Sequence, residues 1–274
     1  MEKKRLAVLM PVYNDSRGLA KTLKSLSNVK TKFDLFIVDD GSKPPLVVEN
    51  KLENVSIYLL KLETNKGIEE ALNYGINTIL AKDYEYIARI DAGDEYVAGR
   101  FPKQMQLLKE KDRVGLVGGF VEVVNDKGEL LYIDKPPVDS KALKKAFFYN
   151  NYIYHPAVMF KVNVFRTVGL YSKNYPAAED YDFFRRCLKV FDAENIPAIV
   201  LKYVVSSGQI SGKKRRIQTI SRLRIQVFYF EWTQLDAYLG VIKSIIALCL
   251  PRKSILWGKS VIYGKRKNKP EQNI

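Results

Sequence analysis

The first ninety residues alternate between short apolar runs and segments whose apolar residues recur every three or four positions. Leu6–Val12 is a continuous apolar run, the mark of a strand buried on both faces. Residues 34–38, 55–60 and 86–90 repeat that character. Between them, Leu19, Leu23 and Leu26 share one face of a helix that Asp15 or Ser16 caps, and Ile68, Leu72, Ile76 and Ile79 share one face of a helix over 67–80. Strand and helix in alternation predict a doubly wound, mostly parallel α/β sheet. Beyond residue 98 the rhythm changes. A helix is expected over 99–109 and strands over 114–117 and 120–124. A turn at Asn125-Asp126-Lys127-Gly128 then leads to a strand over 129–133, making a small antiparallel hairpin region. A short strand over 157–160 follows, then a helix over 180–190 whose first turn is acidic, which suits its positive end. From about Gly212 the pattern is helical and basic to the last residue.

Composition narrows the class. With 274 residues, 47% of them apolar, the chain can bury one large α/β domain and an appendage. Its basic start, Met1-Glu2-Lys3-Lys4-Arg5, is followed by no small-residue cleavage pattern, so no secretory signal is expected. The two cysteines, Cys187 and Cys249, fall in helical segments without disulfide or metal spacing; both are expected as small core residues in a reducing cytoplasm. The net charge of +15 is unevenly spread. Residues 1–201 hold 30 Lys and Arg against 27 Asp and Glu, whereas residues 202–274 hold 15 against 3. The expected division is a catalytic domain over 1–205 (nucleotide-binding half 1–98, acceptor half 99–205) and a basic helical extension over 206–274.

The chemistry lies where apolar strands run into acids. Leu35-Phe36-Ile37-Val38 ends at Asp39-Asp40-Gly41-Ser42, and Tyr86-Ile87-Ala88-Arg89-Ile90 ends at Asp91-Ala92-Gly93-Asp94. Carboxylates at the carboxyl ends of buried parallel strands are costly to fold and are usually explained by a ligand in the crevice there. A uracil-type base offers a flat face and an N–H donor, which Tyr13 and Asp40 at neighbouring strand ends can meet. The same tetrapeptide also reads as a strand-terminating turn.

Five elements taken in order resemble the family 2 glycosyltransferases of GT-A fold, particularly those of bacterial surface polysaccharide (O-antigen, lipopolysaccharide, capsule) assembly. They are Pro11-Val12-Tyr13-Asn14, Asp39-Asp40-Gly41-Ser42, Asn65-Lys66-Gly67, Arg89-Ile90-Asp91-Ala92-Gly93-Asp94 and Glu179-Asp180-Tyr181-Asp182. The resemblance covers about residues 5–200. It implies nucleotide recognition by Pro11, Tyr13, Asp39, Asp40 and Asn65, with Asp91 on ribose or a metal-bound water. Family members often carry an aspartate where this chain has Gly93, which leaves Asp91 and Asp94 as ligands for Mn2+ or Mg2+, hard cations that lean on substrate phosphates. By the same resemblance Asp180 is the base that takes the acceptor's proton in an inverting transfer, with Glu179 in support. His155, in Tyr154-His155-Pro156-Ala157, matches a His-Pro pair of related transferases and reads equally as a contact to phosphate or acceptor or as a buried imidazole.

The basic residues admit several roles. Lys213-Lys214-Arg215-Arg216 reads as a loop that folds over the diphosphate through Lys214 and Arg215, as a headgroup contact, or as a solvated helix face. No Gln-x-x-Arg-Trp pattern occurs, so a single addition is expected rather than processive synthesis. Leu239–Leu250 is too short to span a bilayer, which takes roughly 20 apolar residues, and reads as an interfacial or core helix. The aromatics and cations beyond it suit the headgroups of an anionic inner leaflet. The expected enzyme is therefore cytoplasmic and peripheral, moving a hexose from a UDP-sugar to a lipid-linked saccharide acceptor. A sugar-nucleotide pyrophosphorylase would want a Gly-rich phosphate loop that Pro11–Gly18 lacks. A nucleic-acid-binding module would use the basic tail but leave the strand-end acids without purpose, so no nucleic-acid partner is expected.

Overall fold

A computed structural model describes residues 4–48, 52, 53, 55–205 and 215–249. Strand β1 (Lys4–Val12) lies between β2 (Phe33–Asp39) and β4 (Tyr84–Arg89), and β3 (Val55–Lys61) extends the sheet beyond β2, all parallel. β1 sends Ala7 and Leu9 to one face and Leu6, Val8, Met10 and Val12 to the other. Helix α2 (Ile68–Leu80) covers the first face. Helices α1 (Ser16–Leu26) and α3 (Arg100–Glu110) cover the second, so the strands read as unbroken apolar runs.

Beyond β4 the sheet turns mixed. β8 (Met159–Lys161) runs antiparallel to both β4 and β6 (Val114–Asn125), β7 (Leu130–Asp134) makes a hairpin with β6, and β9 (Asp192–Val205) runs parallel to β6. The order across the sheet is β3-β2-β1-β4-β8-β6-β9-β5, where β5 is the two-residue strand Glu95–Tyr96 paired with β9. Helices α4 (Ser140–Ala146), α5 (Val162–Val168) and α6 (Glu179–Val190) complete the body; α7 (Arg215–Phe228) and α8 (Leu235–Cys249) form a hairpin against it.

Several expectations change. The two strands at 114–117 and 120–124 are one. Gly118 and Gly119 do not break it, but admit β9, since a Cβ on either would lie 2.2 Å from Asn195 Oδ1 or 2.6 Å from Val200 Cγ1. β9 itself was not expected, and neither were the seven-residue helices α4 and α5. The strand foreseen at 157–160 begins two residues later, after a 3-10 turn over His155–Ala157 with Pro156 inside it. Cys187 is buried as expected, but Cys249 is exposed on α8 rather than in the core.

Candidate active site

The parallel strands β1, β2 and β4 bring their carboxyl ends to one edge. Val12 is paired with Asp39 there, and Leu9 with Arg89. Tyr13, one residue past β1, is 50% exposed beside this edge, and Pro11 is buried in the strand.

Asp39 and Asp40 hold different loops. Asp39, 2% exposed, accepts the N–H groups of Ser42 (2.9 Å) and Leu46 (3.0 Å). Burial would raise its carboxyl, but these bonds and the Ser42 hydroxyl outweigh that and hold it below the usual carboxylate range. Ser42 Oγ in turn accepts Asn14 N–H at 2.9 Å, latching the loop after β1 to the loop after β2. Asp40 accepts Lys66 N–H (2.8 Å) and Gly67 N–H (3.0 Å) at the start of α2, and burial pushes its carboxyl up. Gly41, directly after Asp40, sits at φ +72°, with its Cβ position 2.4 Å from the Thr64 carbonyl carbon. Only glycine lets the two loops meet this closely. Asn65, exposed, follows Thr64 at that junction.

The second acidic strand end is stapled to α1. Thr22 Oγ1 donates to the Asp94 carbonyl at 2.7 Å and accepts Gly93 N–H at 3.0 Å. Gly93 has φ +97°, a left-handed turn that an aspartate there would strain. Asp94, 4% exposed, faces inward: its Oδ1 accepts Val204 N–H of β9 at 2.9 Å, and burial, then Asp91, pushes its carboxyl well above the usual range. Asp91 is the accessible member, its side chain 38% exposed and ion-paired with Arg89 Nη2. No group of three or more His, Cys, Asp or Glu that could hold a metal ion occurs among the described residues. One open carboxylate together with a donor's phosphates is still a fit for magnesium or manganese, which bind in that shared way.

Arg89 is the unforeseen centre of the site. It ends β4, is 2% exposed, and its Nε and Nη1 have no hydrogen-bond partner among the described residues. Its charge acts on Asp94, Glu179 and Asp180, favouring the ionised form of each. Burial, then Asp94, Asp91 and Asp180, push the Tyr203 hydroxyl up, so these three acids lie within electrostatic reach of one group. The signal was in the sequence: an arginine at the end of a strand buried on both faces.

Glu179 and Asp180 open α6, where the helix N-terminus favours negative charge. Asp180 is half-buried. Its Oδ2 accepts the Asn151 amide at 2.8 Å and its Oδ1 the Tyr181 N–H at 2.7 Å. Burial raises its carboxyl, and those bonds and Arg89 pull it back. Glu179 is 9% exposed and its Oε2 is unpartnered among the described residues; burial, then Asp180, pushes it up from 4.5 to about 8. A proton of the pair therefore rests on Glu179 at neutral pH. Asn151, the amide that orients Asp180, carried no sequence signal. His155 settles as a buried imidazole: its Nε2 shares a 2.7 Å hydrogen bond with the Tyr171 hydroxyl, and burial, then Arg89, drives it well below its ordinary value. Arg215 donates to the Ala247 carbonyl at 2.8 Å, which gives it a place in the α7–α8 hairpin. Lys214 lies outside the described residues.

The buried Glu179 has a stability consequence. Its folded value lies above its unfolded one, so its contribution is present below about pH 4.5 and is lost as pH rises towards 8. Glu179→Gln is neutral throughout. It is expected to melt near wild type at pH 5 and to gain on the order of 2–4 kcal/mol at pH 9. Calorimetry at the two pH values checks this; an equal shift at both would show that Glu179 is not held neutral.

A mixed sheet of this order, with acids at its carboxyl edge and a carboxylate pair opening the last helix of the body, defines a nucleotide-sugar transferase of GT-A type. The chain belongs to glycosyltransferase family 2: residues 7–169 match the family model described as Glycosyl transferase family 2. It is similar to an uncharacterized glycosyltransferase of Methanocaldococcus jannaschii, 26% identical, covering 85% of this chain and 79% of that one. Among solved structures it is similar to S. aureus TarS 1-349 in complex with UDP-GlcNAc (TM-score 0.60, 15% identity, 85% of this chain and 69% of that one). It also resembles the mannosyltransferase PcManGT from Pyrobaculum calidifontis in complex with GDP-Man and Mn2+ (TM-score 0.59, 14% identity, 96% and 81%).

Proposed function

We propose that this glycosyltransferase moves a hexose, with inversion and one residue at a time, from a UDP-sugar to a lipid-linked saccharide acceptor in cell-surface polysaccharide assembly. The observation that carries the reading is the Glu179–Asp180 pair, with Asp180 oriented by Asn151 and the Tyr181 N–H, and with Arg89 favouring its ionised form against the effect of burial. Nucleotide binding falls to residues 1–98, acceptor binding to 99–205, and the basic extension at 206–274 keeps the enzyme peripheral at the cytoplasmic face of the inner membrane. Residues 250–274 of that extension lie outside the described residues.

The chemistry follows from the placements. The base of the donor lies on Tyr13 beside Pro11, with Asp39 and Asp40 holding the surrounding loops and Asn65 at their junction. Asp180 removes the proton of the acceptor hydroxyl, and the hydroxyl oxygen attacks the anomeric carbon. The bond from that carbon to the diphosphate breaks and the nucleoside diphosphate leaves with the electron pair. A Mn2+ or Mg2+ ion, held through Asp91 and the donor phosphates, would neutralise the departing diphosphate.

Thermal denaturation with UDP-sugars and GDP-mannose, each with and without Mn2+, tests the donor class. A UDP-sugar at a hundred times its Kd adds about 2.7 kcal/mol and raises Tm by about 5 °C. Asp40→Ala frees the Lys66 and Gly67 N–H groups and is expected to cost about 1–3 kcal/mol and to abolish that rise. A rise with GDP-mannose alone would overturn the uridine assignment.

A further inference from the structure

Helix α8 is mounted the wrong way round for a protein that meets only water. Leu235, Tyr238, Leu239, Ile242, Ile245 and Ile246 recur at three- and four-residue spacing, one face of the helix, and are 72, 41, 44, 50, 47 and 51% exposed. That stripe leaves on the order of 600 Å2 of mostly apolar surface in water, at the top of the range for a monomer's largest patch. The inward face is small and polar instead: Ala237, Gly240 and Ser244 are buried.

Specific contacts hold this orientation. A Cβ on Gly240 would lie 2.0 Å from the Phe148 carbonyl oxygen, so backbone contact sets the depth of the helix. The Ser244 hydroxyl donates to Gln226 Oε1 and Gln226 Nε2 donates to the Phe148 carbonyl, each at 2.7 Å. Rolling the isoleucines inward would strand these buried polar groups. The outward stripe is thus enforced by the fold.

Its surroundings indicate what covers it. At the turn before α8, Phe230 packs on Trp232 (centroids 4.9 Å) and on Tyr238 (4.8 Å); Trp232 is 77% exposed and Phe228 71%. Arg216 and Arg224 are exposed on α7, and Lys243 adjoins Ile242 on α8. The sequence after Cys249 adds seven Lys and Arg against one acid. An apolar stripe entered through aromatics and carried on a basic extension matches the interfacial zone of an anionic bilayer. α8 has fifteen residues, and no helix among the described residues is long and apolar enough to cross a membrane, so α8 fits a position in the membrane plane. A second copy seated on the same stripe would face these cations with its own, an unfavourable pairing.

We propose that the outward face of α8, with Phe228 and Trp232 at its rim, docks the enzyme on a bilayer containing anionic lipid. The purpose of the docking rests on the reading of a lipid-linked acceptor; the docking itself does not. Full-length protein is expected to float with phosphatidylcholine vesicles containing phosphatidylglycerol and to stay behind with phosphatidylcholine alone. Ile242→Gln/Ile246→Gln, both positions half exposed, removes two bilayer contacts and is expected to weaken binding at least about tenfold. It is also expected to keep the wild-type melting temperature and donor-induced shift. Vesicle binding equal to wild type would overturn the proposal and assign the anchor to residues 250–274. A wild-type dimer that the double variant splits, with neither protein binding vesicles, would overturn it in favour of a self-interface. The vesicle arm contains no donor or acceptor, so a protein that floats yet binds no nucleotide sugar would sink the transferase reading and leave the docking surface standing.

Discussion

Asp180→Asn is expected to leave a folded protein that binds donor normally and transfers sugar at least about a thousandfold more slowly, the scale of a lost general base. The substitution keeps the shape of the side chain. The Oδ1 of an asparagine can still accept Tyr181 N–H, so the start of α6 should hold. What disappears is the carboxylate placed to take the acceptor's proton: Asn151 and the Tyr181 N–H satisfy its oxygens, and Arg89 supplies opposite charge against the raising effect of burial. The expected split is a large fall in kcat with little change in KM for the donor. Glu179→Gln provides the contrast. Its parent carboxyl is already neutral at pH 7, so the variant is expected to lose far less. If Asp180→Asn turns over like wild type, or Glu179→Gln is the dead enzyme, the base has been placed on the wrong carboxylate.

How much of this could be read in the chain differs between its halves. β1, β2 and β4 are buried on both faces, so each is written as an apolar run and was legible. β9 is not. Asp192, Glu194, Asn195 and Pro197 interrupt it, and Pro197 is tolerated because the pairing with β6 skips from Ile196 to Ile199 at a bulge. That unseen strand decides the fate of Asp94: with β9 absent from the reading, Asp94 was expected as a metal ligand, whereas Val204 N–H holds it inward. Helices α4 and α5 are seven residues long, too short for a period of 3.6 to declare itself.

The acidic positions were legible as residue types, but not as roles. Asp39 and Asp40 look equivalent in sequence, and the structure gives them different loops, because a strand end sends successive side chains to opposite sides. Asn151 sits in a loop whose path depends on the whole acceptor half. α8 was legible as apolar and short, but the direction of its apolar face depends on Gly240, Ser244 and their partners Phe148 and Gln226, which no periodicity records.

Arg89→Met should move the acidic limb of the pH–rate profile upward by about 1–2 pH units, because a full charge within several ångströms in a protein medium acts at a few kcal/mol. Arg89 is a positioning residue, acting through Asp180. Burying an arginine with unpartnered Nε and Nη1 is expensive, and the fold accepts that cost at the centre of four acids: Asp91, Asp94, Glu179 and Asp180. Only Asp91 is bonded to it directly; the others feel it through space. Methionine keeps the volume and removes the charge. Asp180 would then hold its proton to higher pH, so kcat/KM on the acidic side of the limb is expected to fall roughly ten- to a hundredfold and to recover as pH rises. Arg89→Lys keeps the charge and is expected to restore the position of the limb even if the rate stays low. A purely structural arginine predicts the opposite pattern, a uniform loss at every pH with the limb unmoved in both variants. That outcome would leave the ionisation of Asp180 to its hydrogen bonds alone.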